Sequence, residues 1–184
     1  MDTIKPNEPC FFTQQVFLIG TYNEDDSPHF APISWISWTC GEPACLVITM
    51  GGNKRTKRNI KRTSLLSAAV LTPDLLPFAE RCNSRAKNDM LNWSDRPSFE
   101  RGKALCVPII SGAKWTYECE VIHTVELGGA HTYFAAIKQI NVAPEIQSLD
   151  FIDLRIINPV IYAHYHYFSV GEHLGEIGDY SKGR

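Results

Sequence analysis

Residues 16–60 read VFLIGTYNEDDSPHFAPISWISWTCGEPACLVITMGGNKRTKRNI, and this stretch decides the fold. Three runs rich in Val, Ile, Trp and Thr, at 16–22, 29–38 and 45–50, are separated by turn-forming Asn, Asp, Gly and Pro residues. Such runs between turn residues are typical of β-strands. The stretch therefore predicts three strands that lead, through a Gly-Gly-Asn step, into a strongly basic segment.

The basic segment predicts a helix with an anion at its start. Asn53 suits the N-cap of a helix over residues 54–62, which hold six of the eighteen Lys and Arg residues of the chain. A helix N-terminus carries unpaired N–H groups and partial positive charge, so cations in its first turn are disfavoured unless an anion binds there. The sequence nevertheless places four cations at this start, Lys54, Arg55, Lys57 and Arg58.

A bound phosphate is the preferred interpretation of these cations, and a solvated surface helix is the alternative. Nucleic acid is a minor third interpretation, with Tyr22, Trp35 and Trp38 available to stack on bases. It is disfavoured because the whole chain has a net charge of −2, whereas nucleic-acid surfaces usually spread positive charge over a face.

The middle of the chain adds a strand, a helix and a loop. A strand is predicted over residues 64–71, and a short helix that ends near residue 82 has Pro77 in its first turn, where the missing N–H is tolerated. The polar residues 83–101 predict a long surface excursion, and such loops often carry function.

The last third predicts more strands. Residues 115–127 and 133–142 form a predicted hairpin around Gly128-Gly129, and the aromatic tail 160–170 supplies one or two closing strands. Many short strands with two helices indicate a mostly β fold, a β-barrel with inserted helices that forms a single domain over residues 1–184.

The amino-acid composition limits the classes of protein to which this chain can belong. The chain is 44% hydrophobic, which suffices for a core without metal or disulfide support. No run approaches the roughly 20 apolar residues of a membrane span, and the N-terminus lacks the pattern of a signal peptide. We therefore expect a cytoplasmic protein without a membrane segment. Hydrolase, P-loop and Rossmann motifs are absent from the sequence, so those classes lose their main support.

Cysteine and histidine residues do not predict a metal site. The six cysteines show no CxxC pair and no zinc spacing, so reduced thiols are expected. Cys40 and Cys45 could pair under oxidation, but a buried-thiol role is preferred. His164 and His166 would share one face of a strand, a geometry that metal sites use, but no further ligands follow at matching spacing, so a structural role is preferred.

Eight short pieces of the chain resemble the flavin reductase-like, FMN-binding split-barrel family, and its flavoredoxin branch in particular. The resemblance extends over most of the chain, and it rests on the order of the pieces, since no single piece is specific. In chain order they are FAPISW at 30–35, EP at 42–43, TKRNI at 56–60, ECE at 118–120, GAHTYF at 129–134, NPVIY at 158–162, Tyr167 and GEHLG at 171–175.

The resemblance implies a Greek-key split barrel that forms a homodimer, with FMN near the subunit interface. It implies three groups of cofactor-binding residues and one catalytic residue. The isoalloxazine would be lined by Ala31, Pro32, Ile33, Ser34, Trp35, Ile36 and Ser37, and bordered by Tyr167. The phosphate would be held by Asn53, Lys54, Arg55, Thr56 and Asn59. His131 would stand near the nicotinamide as the catalytic residue.

The activity implied by the resemblance is that of an oxidoreductase, which moves a hydride from NADH or NADPH to flavin N5. One alternative is a flavoredoxin-type electron carrier that serves a redox partner protein without NAD(P)H activity. The other is a non-enzymatic barrel that binds nucleic acid or another anion.

The chain departs from the family pattern at two places. A lysine that relatives often offer to the cofactor is replaced in Asp89-Met90-Leu91, and Lys87 is the expected substitute in cofactor binding. A glycine of the hairpin is Ala136 here, which is expected to crowd the dimer or the cofactor edge.

Alternation along the Ser-Trp segment gives one further expectation. If residues 34–38 continue a strand, Ser34, Ile36 and Trp38 face one side, and Trp35 and Ser37 face the other. One of the two tryptophans would then lie in the core or in the dimer interface.

Overall fold

Antiparallel strands make up most of the chain. The computed structural model describes residues 13–39, 41–83, 93–94, 96–146, 152–163 and 165–175. The strands are β1 (Gln14–Gln15), β2 (Phe17–Tyr22), β3 (Pro28–Ile33), β4 (Ile36–Thr39), β5 (Cys45–Met50), β6 (Leu65–Val70), β7 (Phe99–Arg101), β8 (Pro108–Ile110), β9 (Trp115–Leu127), β10 (Ala130–Val142), β11 (Ile161–Ala163) and β12 (His166–Phe168). The helices are α1 (Arg55–Thr63), α2 (Leu76–Asn83) and α3 (Leu154–Ile157), with a 3₁₀ turn at Pro73–Leu75.

One seven-stranded sheet, in the order β3-β2-β6-β9-β10-β5-β4, curls into a half-barrel. All its neighbouring strands run antiparallel. Two smaller sheets, β1-β11-β12 and β7-β8, accompany it. The predicted mostly β barrel with inserted helices is confirmed, and the tail forms two closing strands as expected.

The central strands of the seven-stranded sheet contribute to two core clusters, since successive strand residues point to opposite faces and both faces are covered there. On β2, Ile19 joins a cluster that includes Ile48, Leu66 and Ile60 of α1. Its neighbour Leu18 joins a second cluster with Phe78 of α2. Each helix therefore packs against its own face of the sheet, and α1 lies at the end where β5 stops.

The predicted strand over residues 29–38 is wrong as one continuous element. It breaks at Ser34-Trp35 into β3 and β4, where the Ile36 N–H turns back onto the Ser34 carbonyl at 3.0 Å. The Trp35 carbonyl accepts instead from the Thr49 N–H of β5 at 2.8 Å. The expected alternation therefore fails beyond β3, and Trp35 and Trp38 are both more than half exposed on this protomer, at 52% and 56%.

Helix α1 begins one residue later than predicted. Its N-cap is Lys54 in an extended conformation, without a side-chain cap, and Asn53 therefore lies outside the cap position. Asn53 Oδ1 instead accepts a hydrogen bond from Arg58 at 3.0 Å. The helix ends at Thr63, and the C-cap residue Ser64 has a left-handed φ of 59° and donates its N–H to the Ile60 carbonyl.

Several further predictions from the sequence can be compared with the structure. Helix α2 starts at Leu76, so Pro77 lies in its first turn as predicted. Ala136 is fully buried opposite Cys45 in the β10–β5 pair, so its methyl group is covered within the protomer. None of the described helices has the length and apolar character needed to cross a membrane.

The described cysteines, at 45, 82, 106 and 119, are free thiols. Cys40, His164 and most of the predicted excursion lie outside the described residues.

A buried carboxylate ties the segment after β7 to the long hairpin. Glu118 of β9 is fully buried and accepts from the N–H groups of residues 103, 104 and 105 at 2.7–3.0 Å, and from Asn141 Nδ2 at 2.8 Å. Gly102 permits this approach, because a Cβ there would lie 2.5 Å from Glu118 Oε2. Desolvation alone would raise the pKa of Glu118, but the hydrogen bonds from Asn141 and the backbone outweigh it, and its pKa lies below the ordinary value.

We expect Glu118→Gln to destabilise the fold by about 2–3 kcal/mol, because an amide cannot accept all four hydrogen bonds. Urea unfolding at pH 7 measures the change. A group with a depressed folded pKa stabilises the protein above its unfolded pKa, about 4.3 for Glu, and this contribution is lost as the pH falls through the folded pKa. The difference between wild type and variant should therefore shrink at low pH.

Glu120→Gln is the matched control for Glu118→Gln. Glu120 lies on the same strand with a half-exposed side chain that pairs with Lys138 at 3.0 Å. Its loss should change the free energy of unfolding by about 0.5 kcal/mol or less. Equal effects of the two substitutions would show that the carboxylate of Glu118 is not the anchor of residues 103–105.

Candidate functional site

Buried polar contacts fix the start of helix α1 on the turn between β2 and β3. Asn59 is 5% exposed, and its Nδ2 donates to Thr21 Oγ1 and Asn23 Oδ1, each at 3.0 Å. Thr56 is 1% exposed, and its hydroxyl lies 3.1 Å from His29 Nε2 on β3. These contacts hold the first turn of the helix rigidly, as a preorganised anion site requires.

Arg62 adds to this anchoring, because its guanidinium donates to the carbonyls of Tyr22 and Asn23 at 2.7 and 2.9 Å. Thr56 and Asn59, both predicted phosphate-binding residues, therefore have partners within the protein. Their side chains therefore fix the position of the helix.

The four cations at the start of α1 fall into two kinds. Lys57 Nζ donates to the carbonyls of Gly52 and Gly129, at 3.0 and 3.2 Å, and Arg58 donates to Asn53. Two of the four cations therefore have neutral partners, which corrects the premise that all of them need a bound anion. Arg55 forms no hydrogen bond or ion pair with the described part of the chain, and no acidic residue lies in the first turn.

The segment 31–37 reaches the same region from the other side. Ala31 and Ile33 are buried, whereas Trp35 and Ser37 are exposed, and Pro32, Ser34 and Ile36 are partly buried. The ring of Trp35 lies beside the loop that leads into α1, because a Cβ on Gly51 would be 3.9 Å from its Cζ3. The structure therefore brings the predicted ring-binding segment next to the predicted phosphate-binding turn.

A groove of about 650 Å³ separates helix α1 from the β9–β10 hairpin, and we call it the helix–hairpin groove. It is lined by Gly52, Asn53, Lys57, Arg58, Ile60, Lys61, Ser64, Val121, Thr124, Glu126, His131 and Tyr133. Two predicted site residues, Asn53 and His131, therefore face one space. Lys61, Glu126 and Tyr133 line it too, although the sequence alone did not single them out. Alternation along β10 would have placed Tyr133 on the face of His131.

Both ring nitrogens of His131 have neighbours in the groove. Nε2 lies 3.4 Å from Glu126 Oε1, and Nδ1 lies 3.4 Å from the Tyr133 hydroxyl. Tyr133 is 3% exposed, and desolvation together with the Glu126 charge raises its pKa. The phenol therefore stays protonated at neutral pH and is able to donate to the imidazole.

Tyr167 belongs to a different part of the structure. It lies on β12 of the three-stranded sheet, where its hydroxyl donates to Glu80 of α2 and its ring contacts Tyr162. Desolvation and the adjacent Glu80 raise its pKa. Tyr167 is not among the residues of the helix–hairpin groove, and Lys87 lies outside the described residues.

Solved structures share this fold over almost the whole chain. The flavoredoxin of Desulfovibrio vulgaris (Miyazaki F) superposes with a TM-score of 0.87 at 20% identity, covering 99% of this chain and 100% of that one. The flavoredoxin of Methanosarcina acetivorans gives 0.85 at 19% identity, with coverage of 99% and 98%. Nitrilotriacetate monooxygenase component B of Bacillus cereus gives 0.83 at 16% identity, with coverage of 96% and 98%. The split barrel implied by the sequence pieces is thereby confirmed.

The family model of the flavin reductase like domain matches residues 10–171. No sequence among curated proteins matches the chain. The matched range runs from before β1 to beyond β12 and so includes the start of α1, the segment 31–37 and the helix–hairpin groove. On this match, the chain belongs to the flavin reductase-like family.

Proposed function

We propose that this protein binds FMN and acts as an oxidoreductase that accepts a hydride from NADH or NADPH. The observation that carries the proposal is the start of α1, which is fixed by Thr56 and Asn59, supplied with Lys54 and Arg55, and placed beside Trp35. A phosphate is the anion that such a helix start suits, and Trp35 offers an aromatic surface for a planar ring.

The described residues fit FMN by the chemistry of their donors. Arg55 supplies a guanidinium without a hydrogen-bonding partner in the described chain, and the helix supplies N–H groups without a side-chain cap. Pro32, Ser34 and Ile36 are partly buried, and Trp35 and Ser37 are exposed, so the segment offers both apolar and hydrogen-bonding groups to an isoalloxazine. The buried side chains of Ala31 and Ile33 leave their backbone as the part that would contact the ring.

Bound flavin would supply the hydride acceptor, so the chain itself needs no strong acid or base. The residues at the start of α1 would hold the phosphate, and the segment 31–37 would orient the ring. His131 would position a nicotinamide from the helix–hairpin groove, and correct positioning accounts for much of the rate in such transfers.

We expect the double substitution Lys54→Ala with Arg55→Ala to weaken FMN binding about ten- to a hundredfold, because two charge-assisted contacts to the phosphate are lost. Fluorescence titration of the apoprotein with FMN measures the dissociation constant. Riboflavin, which lacks the phosphate, should bind wild type and variant alike.

Lys138→Ala with Arg155→Ala is the matched control, since it removes two solvent-accessible cations that lie outside helix α1 and the segment 31–37. This control should leave FMN affinity unchanged. If the Lys54/Arg55 variant binds FMN as tightly as wild type, while unfolding in urea at the same midpoint, the phosphate assignment fails.

The electron donor separates the proposed reductase from a second candidate. A flavoredoxin-type electron carrier is favoured by the close structural likeness to two flavoredoxins over their full length. We expect NADH or NADPH, added under anaerobic conditions, to bleach the visible absorption bands of the FMN-loaded protein. Flavin bands that persist with both donors, yet bleach with dithionite, would indicate the carrier.

A protein that shows no flavin bands with excess FMN would contradict both candidates. That outcome would leave a cofactor-free barrel that binds another anion. The spectra before and after each addition therefore distinguish all three functions.

We further propose that the chain forms a homodimer in which the second copy covers Trp35 and Trp38. Both rings are more than half exposed, and Trp38 lies on β4, the edge strand of the seven-stranded sheet. Exposed aromatic side chains at a sheet edge favour association.

Trp38→Lys should shift the protein from dimer to monomer in sedimentation velocity, whereas Ile156→Lys, at a 45% exposed site on α3, should not. A wild-type protein that sediments as a monomer would refute the dimer.

A further inference from the structure

Glu126 is the only carboxylate among the described residues that line the helix–hairpin groove. Three cations, Lys57, Arg58 and Lys61, lie along its helical wall, and Glu126 faces them from the hairpin wall together with His131. A concave space with such a majority of cations attracts anions. The carboxylate opposes that attraction from inside the groove.

The two contacts of His131 give Glu126 a definite place beside the ring. An ionised carboxylate cannot donate a hydrogen bond, so its position 3.4 Å from Nε2 favours the tautomer with the hydrogen on that nitrogen. Nδ1 of the neutral ring is then the acceptor for the Tyr133 hydroxyl, which lies 3.4 Å away. The two contacts are consistent with one tautomer, in which Tyr133 donates to Nδ1 and Glu126 lies beside the outward N–H.

Glu126 is the exposed and exchangeable member of this arrangement. The side chain of Glu126 is 71% exposed, whereas that of His131 is 28% exposed. An exposed contact at 3.4 Å is long for a hydrogen bond and is weakened by solvent. An anion that enters the groove would therefore meet the Glu126 carboxylate unless that side chain turned out into water.

We propose that Glu126 weakens the binding of a pyridine dinucleotide in the helix–hairpin groove, because its carboxylate faces the space beside His131 that the dinucleotide phosphates would enter. The inference rests on the proposed function, because it assigns the dinucleotide to this groove. Lys61 is the matching attractive group, since it has no hydrogen bond or ion pair with any described residue. The groove would thus bind its ligand more weakly with Glu126 present, and release it more readily.

The test is titration of the FMN-loaded protein with NADP⁺ and NAD⁺ by isothermal calorimetry, which needs no turnover. Glu126→Gln should tighten binding of NADP⁺ about three- to tenfold, because a like charge near the phosphates is removed while the side-chain size is kept. Lys61→Gln should weaken binding by a similar factor. Both changes should shrink in 0.5 M NaCl, where charges more than about 4–5 Å apart are screened.

The off-groove pair Glu120 and Lys138 supplies matched controls on the same hairpin. Glu120→Gln and Lys138→Gln alter the net charge by the same amounts but do not line the groove. Neither should change the dissociation constant for NADP⁺. If Glu120→Gln and Glu126→Gln changed the dissociation constant for NADP⁺ equally, net charge alone would explain the result. That outcome would overturn the proposal.

Two further outcomes separate this inference from the proposed function. If all variants bind FMN but none binds either dinucleotide, the groove assignment is overturned while the flavin site stands. If Glu126→Gln tightens FMN and not NADP⁺, the anion of this groove is the flavin phosphate, which also overturns the proposal. Loss of FMN binding by wild type would instead refute the proposed function.

A second readout tests the tautomer. Nitrogen NMR of His131 should show the hydrogen on Nε2 in wild type, and Tyr133→Phe should populate the other tautomer because the donor to Nδ1 is lost. A ring that carries its hydrogen on Nδ1 in wild type would contradict the proposed contact with Glu126.

Discussion

The attachment of helix α1 to the β2–β3 turn is the constraint on which the rest of the site depends. Asn59 and Arg62 reach the turn from successive levels of the helix, and Thr56 meets His29 on β3. Since an unsatisfied buried amide is costly, the helix cannot rotate about its axis without losing these bonds. Its unpaired N–H groups and its cations are therefore aimed at one place beside Trp35.

This attachment explains how a short helix with five cations is stable on a sheet. A helix of nine residues is too short to persist alone, and like charges along it repel. Ile60 alone buries little apolar area, so the buried amide and hydroxyl contacts are what fix the position of the helix on the sheet. The guanidinium of Arg62 and the ammonium of Lys57 keep their charge, but each is solvated by backbone carbonyls.

The sequence allowed the mostly β fold, the hairpin around Gly128-Gly129 and the basic helix to be predicted, because each depends on local pattern. Apolar alternation and turn residues determine strands within a few positions of themselves. The break at Ser34-Trp35 escaped prediction, because it depends on a bond from Thr49 on another strand. The partner of Lys57 escaped prediction for the same reason, because Gly129 lies 72 residues away along the chain. The partner of Arg58 escaped prediction as well, although Asn53 is only five residues away. Glu126 had no motif around it, and only the pairing of β9 with β10 places it opposite His131.

Lys57 joins the two walls of the helix–hairpin groove, since one ammonium bonds both Gly52 before the helix and Gly129 at the hairpin turn. Both glycines have positive φ values, 68° and 79°, so each carbonyl is presented by a backbone conformation that other residues rarely adopt. The bridge itself is a flexible chain of four methylene groups with many rotamers. A change of the Lys57 rotamer alone would therefore break the link between the two walls, without any movement of the strands or the helix that border the groove.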